Sequence, residues 1–253
     1  MLGFKLEGPQ AAGHHIITFF GHTFNQDAWA PNAEVAYFHV GEQTRYLPSE
    51  AWLSSFIGHD DNFGSNFCVP RLYVTPEQVQ YVVALHPSGV HYSGVVAEAI
   101  AVDYLYSLLP QLDSARVRWL KRLISSARDQ QVVLRAVAMT RNRYTDHLLH
   151  SRDWHYNSEE KQICRSIRDN VPEHLWVVEV SLPELFPANQ RKLGEIVLDA
   201  TKEPSRGLDF RSFLFGRFPG RFLFLKRTRL DGSPEFISVP SGLKSHTPLY
   251  AAD

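Results

Sequence analysis

Four residues in the stretch TDHLLHSRDWH carry atoms that suit a divalent metal: His147, His150, Asp153 and His155. His147 and His150 are three apart, so on a helix they share one face. Imidazole nitrogen and carboxylate oxygen are ordinary ligands for zinc and its neighbours. The spacing is not that of a His-Glu-x-x-His helix. Two surface histidines at a helix end are the simpler account of the same residues.

A second set is His22 with Cys68. A thiolate near neutral pH needs an imidazole beside it, and a third polar group to hold that imidazole. Asp60, Asp61 and Asn66 stand near enough in sequence to be that third group. Against this, a lone cysteine is most often a small buried apolar side chain. Either set would make the chain a metal- or thiol-dependent hydrolase.

A third arrangement pairs GEIVLDATK with RFLFLKRTR. A metal nuclease of the strand-pair type holds a carboxylate on one strand and an acid-x-Lys pair on the next. Glu195 or Asp199 supplies the first carboxylate, but the position two before Lys226 is Phe224. The second acid is therefore missing. The loop from Asp199 to Arg206 follows a strand, a common place for ligand sites. The chain holds no glycine-rich phosphate loop, and the sequence names no cofactor.

Binding of an anion needs less. The run FRSFLFGRFPGRFLFLKRTR leaves Arg211, Arg217, Arg221, Arg227 and Arg229 outside once its phenylalanines are assigned to the interior. The helix SARVRWLKRLISSARDQQ adds Arg116, Lys121 and Arg122 on its outer face. Exposed Arg and Lys contact phosphate or carboxylate without a catalytic constellation. Charge is distributed to match. Residues 1–68 hold two basic and seven acidic side chains, a net of −5, while residues 201–253 hold nine and five, a net of +4. The sequence thus predicts a binding or scaffold subunit whose partner is a nucleic acid or an acidic protein surface. The same asymmetry lets copies of the chain attract one another.

The elements that must position these residues are of mixed type. HHIITFF and EVAYFHV read as strands, RYLP as a short edge strand, and SEAWLSSFIG as a short helix capped by Ser49. Thr75-Pro76-Glu77-Gln78 reads as a helix start. Val95 to Leu109 is apolar on nearly every side, predicting a buried helix stopped by Pro110 and too short to span a bilayer. VVLRAVAMT, HLWVVEVSL, GEIVLDA and RFLFLKRTRL read as strands. YTDHLLH and NSEEKQICRSIRDN read as helices, and LDFRSFLFG as a short helix from the spacing of Phe210 and Phe213. Asp231-Gly232 predicts a hairpin into EFISV.

The expected fold is α/β or α+β: a mixed sheet with a β-rich N-terminal third, a helical middle and a βα-alternating C-terminal half. Its 253 residues, 44% of them hydrophobic, suffice for a single globular domain, with a weak subdivision near 110–114. Two cysteines and no evident signal segment predict a soluble, cytoplasmic chain without a membrane partner.

Overall fold

The computed structural model describes residues 2–5, 14–25, 46–74, 79–83, 88–113, 117–150, 158–202, 210–229, 232–243 and 245–250. The fold is mixed α and β, with four helices and a large mixed sheet among the described residues.

The N-terminal third builds a five-stranded antiparallel sheet. Its strands are β1 (Leu2–Lys5), β2 (His14–Phe24), β4 (Leu53–Asp60), β5 (Gly64–Pro70) and β6 (Val79–Val82), in the order β5-β4-β2-β1-β6. Strand β3 (Leu47–Pro48) is an edge strand, as expected, at the end of the main sheet and parallel to β7 (Val133–Thr140).

Two helix expectations fail here. Ser49–Trp52 is a single 3-10 turn without a side-chain cap, and the chain then extends as β4. Residues 79–82, beyond the expected helix start at Thr75, form β6, and residues 75–78 lie outside the described residues. In both cases aromatic and β-branched residues carry the backbone into a sheet. The expected strand EVAYFHV also lies outside the described residues.

The larger sheet has seven strands. It includes β8 (His174–Ser181), β10 (Gly194–Asp199), β11 (Phe213–Phe218), β12 (Arg221–Thr228) and β13 (Pro234–Pro240), in the order β13-β12-β11-β10-β8-β7-β3. A small pair joins β9 (Arg191–Lys192) to β14 (Thr247–Pro248).

Helices cover both faces of the large sheet. On one side lie α1 (Gly94–Asp113) and α2 (Arg118–Arg128). Their Leu105, Leu108, Leu120 and Leu123 share a core with Trp176, Val178, Ile196 and Leu198. On the other side lie α3 (Arg141–His150) and α4 (Ser158–Asn170). Their Tyr144, Leu148, Cys164 and Ile167 pack on Val177, Val197, Phe215 and Phe222. The two-residue period of β8 does this sorting, since alternate side chains point to opposite faces. Strands covered on both faces read as near-continuous apolar runs, as β8 and β10 do.

Helix α1 continues through Pro110, which sits on its exposed side. Burial of Leu108, Leu109 and Leu112 carries the helix past the lost backbone donor. At 20 residues α1 is long and apolar enough to cross a membrane by length and composition alone. Its Ala97, Ala101, Leu105, Leu108 and Leu112 are fully buried in the core, which is the position of a core helix.

LDFRSFLFG contains no helix among its described residues. Phe210 belongs to a turn, and the strand β11 begins at Phe213. The three-residue spacing of those two phenylalanines serves a turn-to-strand junction in which both rings pack on Tyr104. The expected β12–β13 hairpin is present, with Gly232 at φ +81°.

Candidate functional site: a charged row across the sheet and a cationic strand end

The sheet carries a row of charge that the sequence does not announce. Arg135 on β7 lies opposite Glu179 on β8, Glu179 opposite Glu195 on β10, and Glu195 opposite Arg217 on β11. All four point to the face covered by α3. Arg135 Nη1 is 2.8 Å from Glu179 Oε2, and Arg217 Nη2 is 2.9 Å from Glu195 Oε1. Lys192, arriving from β9, places its Nζ 2.9 Å from Glu179 and 3.0 Å from Glu195.

Two tyrosines close the row. Tyr144 donates to Glu195 Oε1 at 2.7 Å, and Tyr250 donates to Glu195 Oε2 at 2.8 Å. Burial alone would push the Glu195 carboxyl up. The Arg217 and Lys192 charges and the Tyr144 hydrogen bond outweigh it and hold the group down to about 2. Burial, reinforced by the Glu195 charge, pushes both tyrosine hydroxyls well above their ordinary range. The group therefore sets three cations, Arg135, Lys192 and Arg217, around two fully buried carboxylates.

The sequence-predicted sites are placed as follows. His22 sits on β2 and Cys68 on β5, with β4 between them. The row through His22 runs to Phe56 and ends at Val69. Cys68 is one residue out of that row, so it points to the opposite face. The two are separated by two strand spacings, about 10 Å, and do not form a nucleophile–base pair. Burial and the Arg135 charge lower the His22 pKa, but no thiol is there to use the neutral imidazole. Asp60 is buried and accepts hydrogen bonds from the backbone N–H groups of Asn62 and Phe63, holding the β4–β5 turn.

Of the proposed metal ligands, His147 lies on α3 with its ring edge-on to Tyr250 at 4.8 Å. Burial and then the Lys192 charge lower its pKa. His150 ends the same helix, and Asp153 and His155 lie outside the described residues. Among the described residues no group of three or more His, Cys, Asp or Glu side chains could hold a metal ion.

For the strand-pair arrangement, Glu195 is consumed by the charged row. Asp199 accepts from Thr201 N at 3.0 Å and Thr201 Oγ1 at 2.6 Å, and pairs with Lys202. Lys226 faces Glu235 rather than either acid. Residues 203–206 of the adjoining loop lie outside the described residues.

The arginines divide. Arg217 is not an outside residue: it is buried at 3% exposure and committed to Glu195 and Tyr250. It alternates with phenylalanines on β11, and a strand covered on both faces has no outward side to give it. Arg221 is half-buried and donates to Ser238 Oγ. Lys121 and Arg122 are exposed on α2, with Arg122 paired to Glu184. Arg116 lies outside the described residues.

Arg227 and Arg229 remain at the far end of β12. A bulge there sets two residues, Lys226 and Arg227, against the single Glu235 on β13. Both cations therefore reach one carboxylate, each at 2.7 Å, and Arg229 stands 3.9 Å from it. Hydrogen bonds from Lys226 and Arg227 hold the Glu235 carboxyl down to about 2. Gly220, in the β11–β12 turn, faces Val117 at the start of α2. That contact is some 20 Å along the strand from Arg227, so the start of α2 and the β12 end are separate places.

No family model matches the chain, and no curated protein or solved structure matches it either.

Proposed function

We propose that this chain is a binding subunit that meets an anionic partner through the far end of β12. One observation carries the reading. Lys226, Arg227 and Arg229 converge on the single carboxylate of Glu235, an excess of two positive charges, with the side chains of the cations 51%, 66% and 58% exposed. Three exposed cations that share one acid have donors left over for another anion.

An acidic protein surface fits this end better than a nucleic acid. Phe213, Phe215, Phe218 and Phe222 are buried in the sheet, so the aromatic run offers no platform for stacking bases. The chain as a whole carries a formal charge of −1, which does not favour a phosphate polymer. The N-terminal third carries a net charge of −5 in the sequence, and a second copy is thus one candidate partner. The exposed Lys121 and Arg122 on α2 form a second, separate cationic place. Two free thiols, exposed Cys68 and buried Cys164, suit a reducing compartment, and we assign the chain to the cytoplasm on that ground.

Retention on immobilised polyglutamate at low salt, with elution as salt rises, is the expected behaviour. A duplex DNA column run in parallel should retain the chain less well. Flow-through of the wild-type chain on both columns overturns the reading. Retention on DNA alone would make the partner a nucleic acid.

A further inference from the structure

Tyr250 is contacted at every polar group it has. Its backbone N–H donates to Glu179 Oε1 at 2.7 Å, and its carbonyl accepts from Arg135 Nη1 at 2.9 Å. Its hydroxyl donates to Glu195 Oε2 at 2.8 Å and accepts from Arg217 Nη2 at 3.3 Å. The Lys192 ammonium lies 3.0 Å from the centre of its ring face. A tyrosine that merely fills a core needs one partner for its hydroxyl. Here buried charged side chains also read its main chain, a task normally left to a neighbouring strand.

Four of the five groups that read it are fixed independently of it, while Lys192 sits on β9, which pairs with β14. Arg135, Glu179, Glu195 and Arg217 stand in one row on four adjacent strands, held by strand pairing. Apart from these side-chain contacts, the occupant's backbone is held by fewer strand bonds. The two residues of β14 pair with β9, and Leu249 N donates to Gln190 O. Segments with few backbone bonds open locally at low cost, while central strands open only with the whole domain.

We infer that the charged row is a residue-specific site for a tyrosine in an extended peptide, filled here by the chain's own Tyr250 and open to a second tyrosine-bearing peptide when the Thr247–Tyr250 segment detaches. Its chemistry sets the selectivity. A phenylalanine leaves Glu195 and Arg217 each short of a partner. A phosphotyrosine brings its negative charges against the buried Glu195 carboxylate. Tyrosine alone satisfies both neighbours. This site is distinct from the β12 end, so each can fail without the other.

The test uses the Tyr250→Ala chain and a fluorescein-labelled peptide of residues 245–251, followed by anisotropy. Saturable binding is expected. The Phe version should bind about tenfold to a hundredfold more weakly, because a hydrogen bond to a buried charge is lost, and the phosphotyrosine version should not bind. A folded Tyr250→Ala chain that binds no peptide, or that binds the Phe version equally, overturns the inference. If that variant does not fold, amide hydrogen exchange on the wild-type chain decides. The Tyr250 amide should exchange at least about a hundredfold faster than those of Val177 and Val197. Equal protection of all three overturns the inference.

Discussion

Glu179 and Glu195 lie side by side on β8 and β10, and the Lys192 ammonium sits between their carboxylates, 2.9 Å from one and 3.0 Å from the other. Like charges directly opposite on neighbouring strands repel, and burial removes the water that would screen them. Lys192 is placed to correct this. Gly194 brings the chain in tightly between β9 and β10, where an added Cβ would strike the Phe218 ring and the Arg217 carbonyl.

Lys192→Met should therefore cost about 3–5 kcal/mol at neutral pH, the usual result of stripping one partner from a buried ionic group. Urea unfolding measures it. The deficit should shrink towards pH 4, where protonation of a carboxylate relieves the repulsion. In the wild-type chain the opposite trend applies. Glu195 is held at about 2, below its value in the unfolded chain, so its contribution is present above the ordinary carboxylate range near 4 and is lost as pH falls towards 2. A Lys192→Met deficit below about 1 kcal/mol, the same at both pH values, would contradict the role given to Lys192.

Glu98 shows the reverse behaviour. It is buried on α1 beside β7, accepts from Ala136 N at 3.0 Å, and lies within hydrogen-bonding reach of the Tyr46 side chain. Burial and then the Glu50 charge raise its pKa well above the usual range. A raised folded value means stability is full below the unfolded value and falls as pH rises towards the folded one. Glu98→Gln keeps an acceptor for Ala136 and removes the ionisation. The variant should gain about 1 kcal/mol at pH 8 relative to its effect at pH 5. A loss at pH 8 larger than at pH 5 would mean the carboxylate is ionised and paired.

Cys68 is exposed and Cys164 is fully buried. A thiol reagent should label one cysteine per native chain promptly and the second only on unfolding. Because His22 points to the other face of the five-stranded sheet, His22→Ala should leave the labelling rate within about twofold. A tenfold fall in rate would restore the thiol–imidazole pair that the strand register separates.

The main strands and helices are legible in the sequence where apolar pattern and burial agree: β2, β7, β8, β10, α1 to α4 and the hairpin at Gly232. The failures share a cause. Ser49 and the Phe210–Phe213 spacing are local signals for a helix, and tertiary pairing of β4 and β11 overrides them. The charged row was hidden because its members, residues 135, 179, 195 and 217, meet only through strand register. One signal was present. Glu179 is the one acid in HLWVVEVSL, and Glu195 stands with Asp199 in GEIVLDA, in strands otherwise largely apolar on both faces, and a charge so placed must be paired. The fate of Arg217 follows from the same rule.

Binding of a polyglutamate peptide by the wild-type chain and by Arg227→Glu/Arg229→Glu decides whether the β12 end is the anion-binding place. Both side chains are more than half exposed, so the double reversal leaves the fold intact. The proposal predicts that the wild-type chain binds, that binding weakens as salt rises from about 50 to 200 mM, and that the variant binds at least about tenfold more weakly. Equal affinity of the two chains, or binding indifferent to salt, would contradict it.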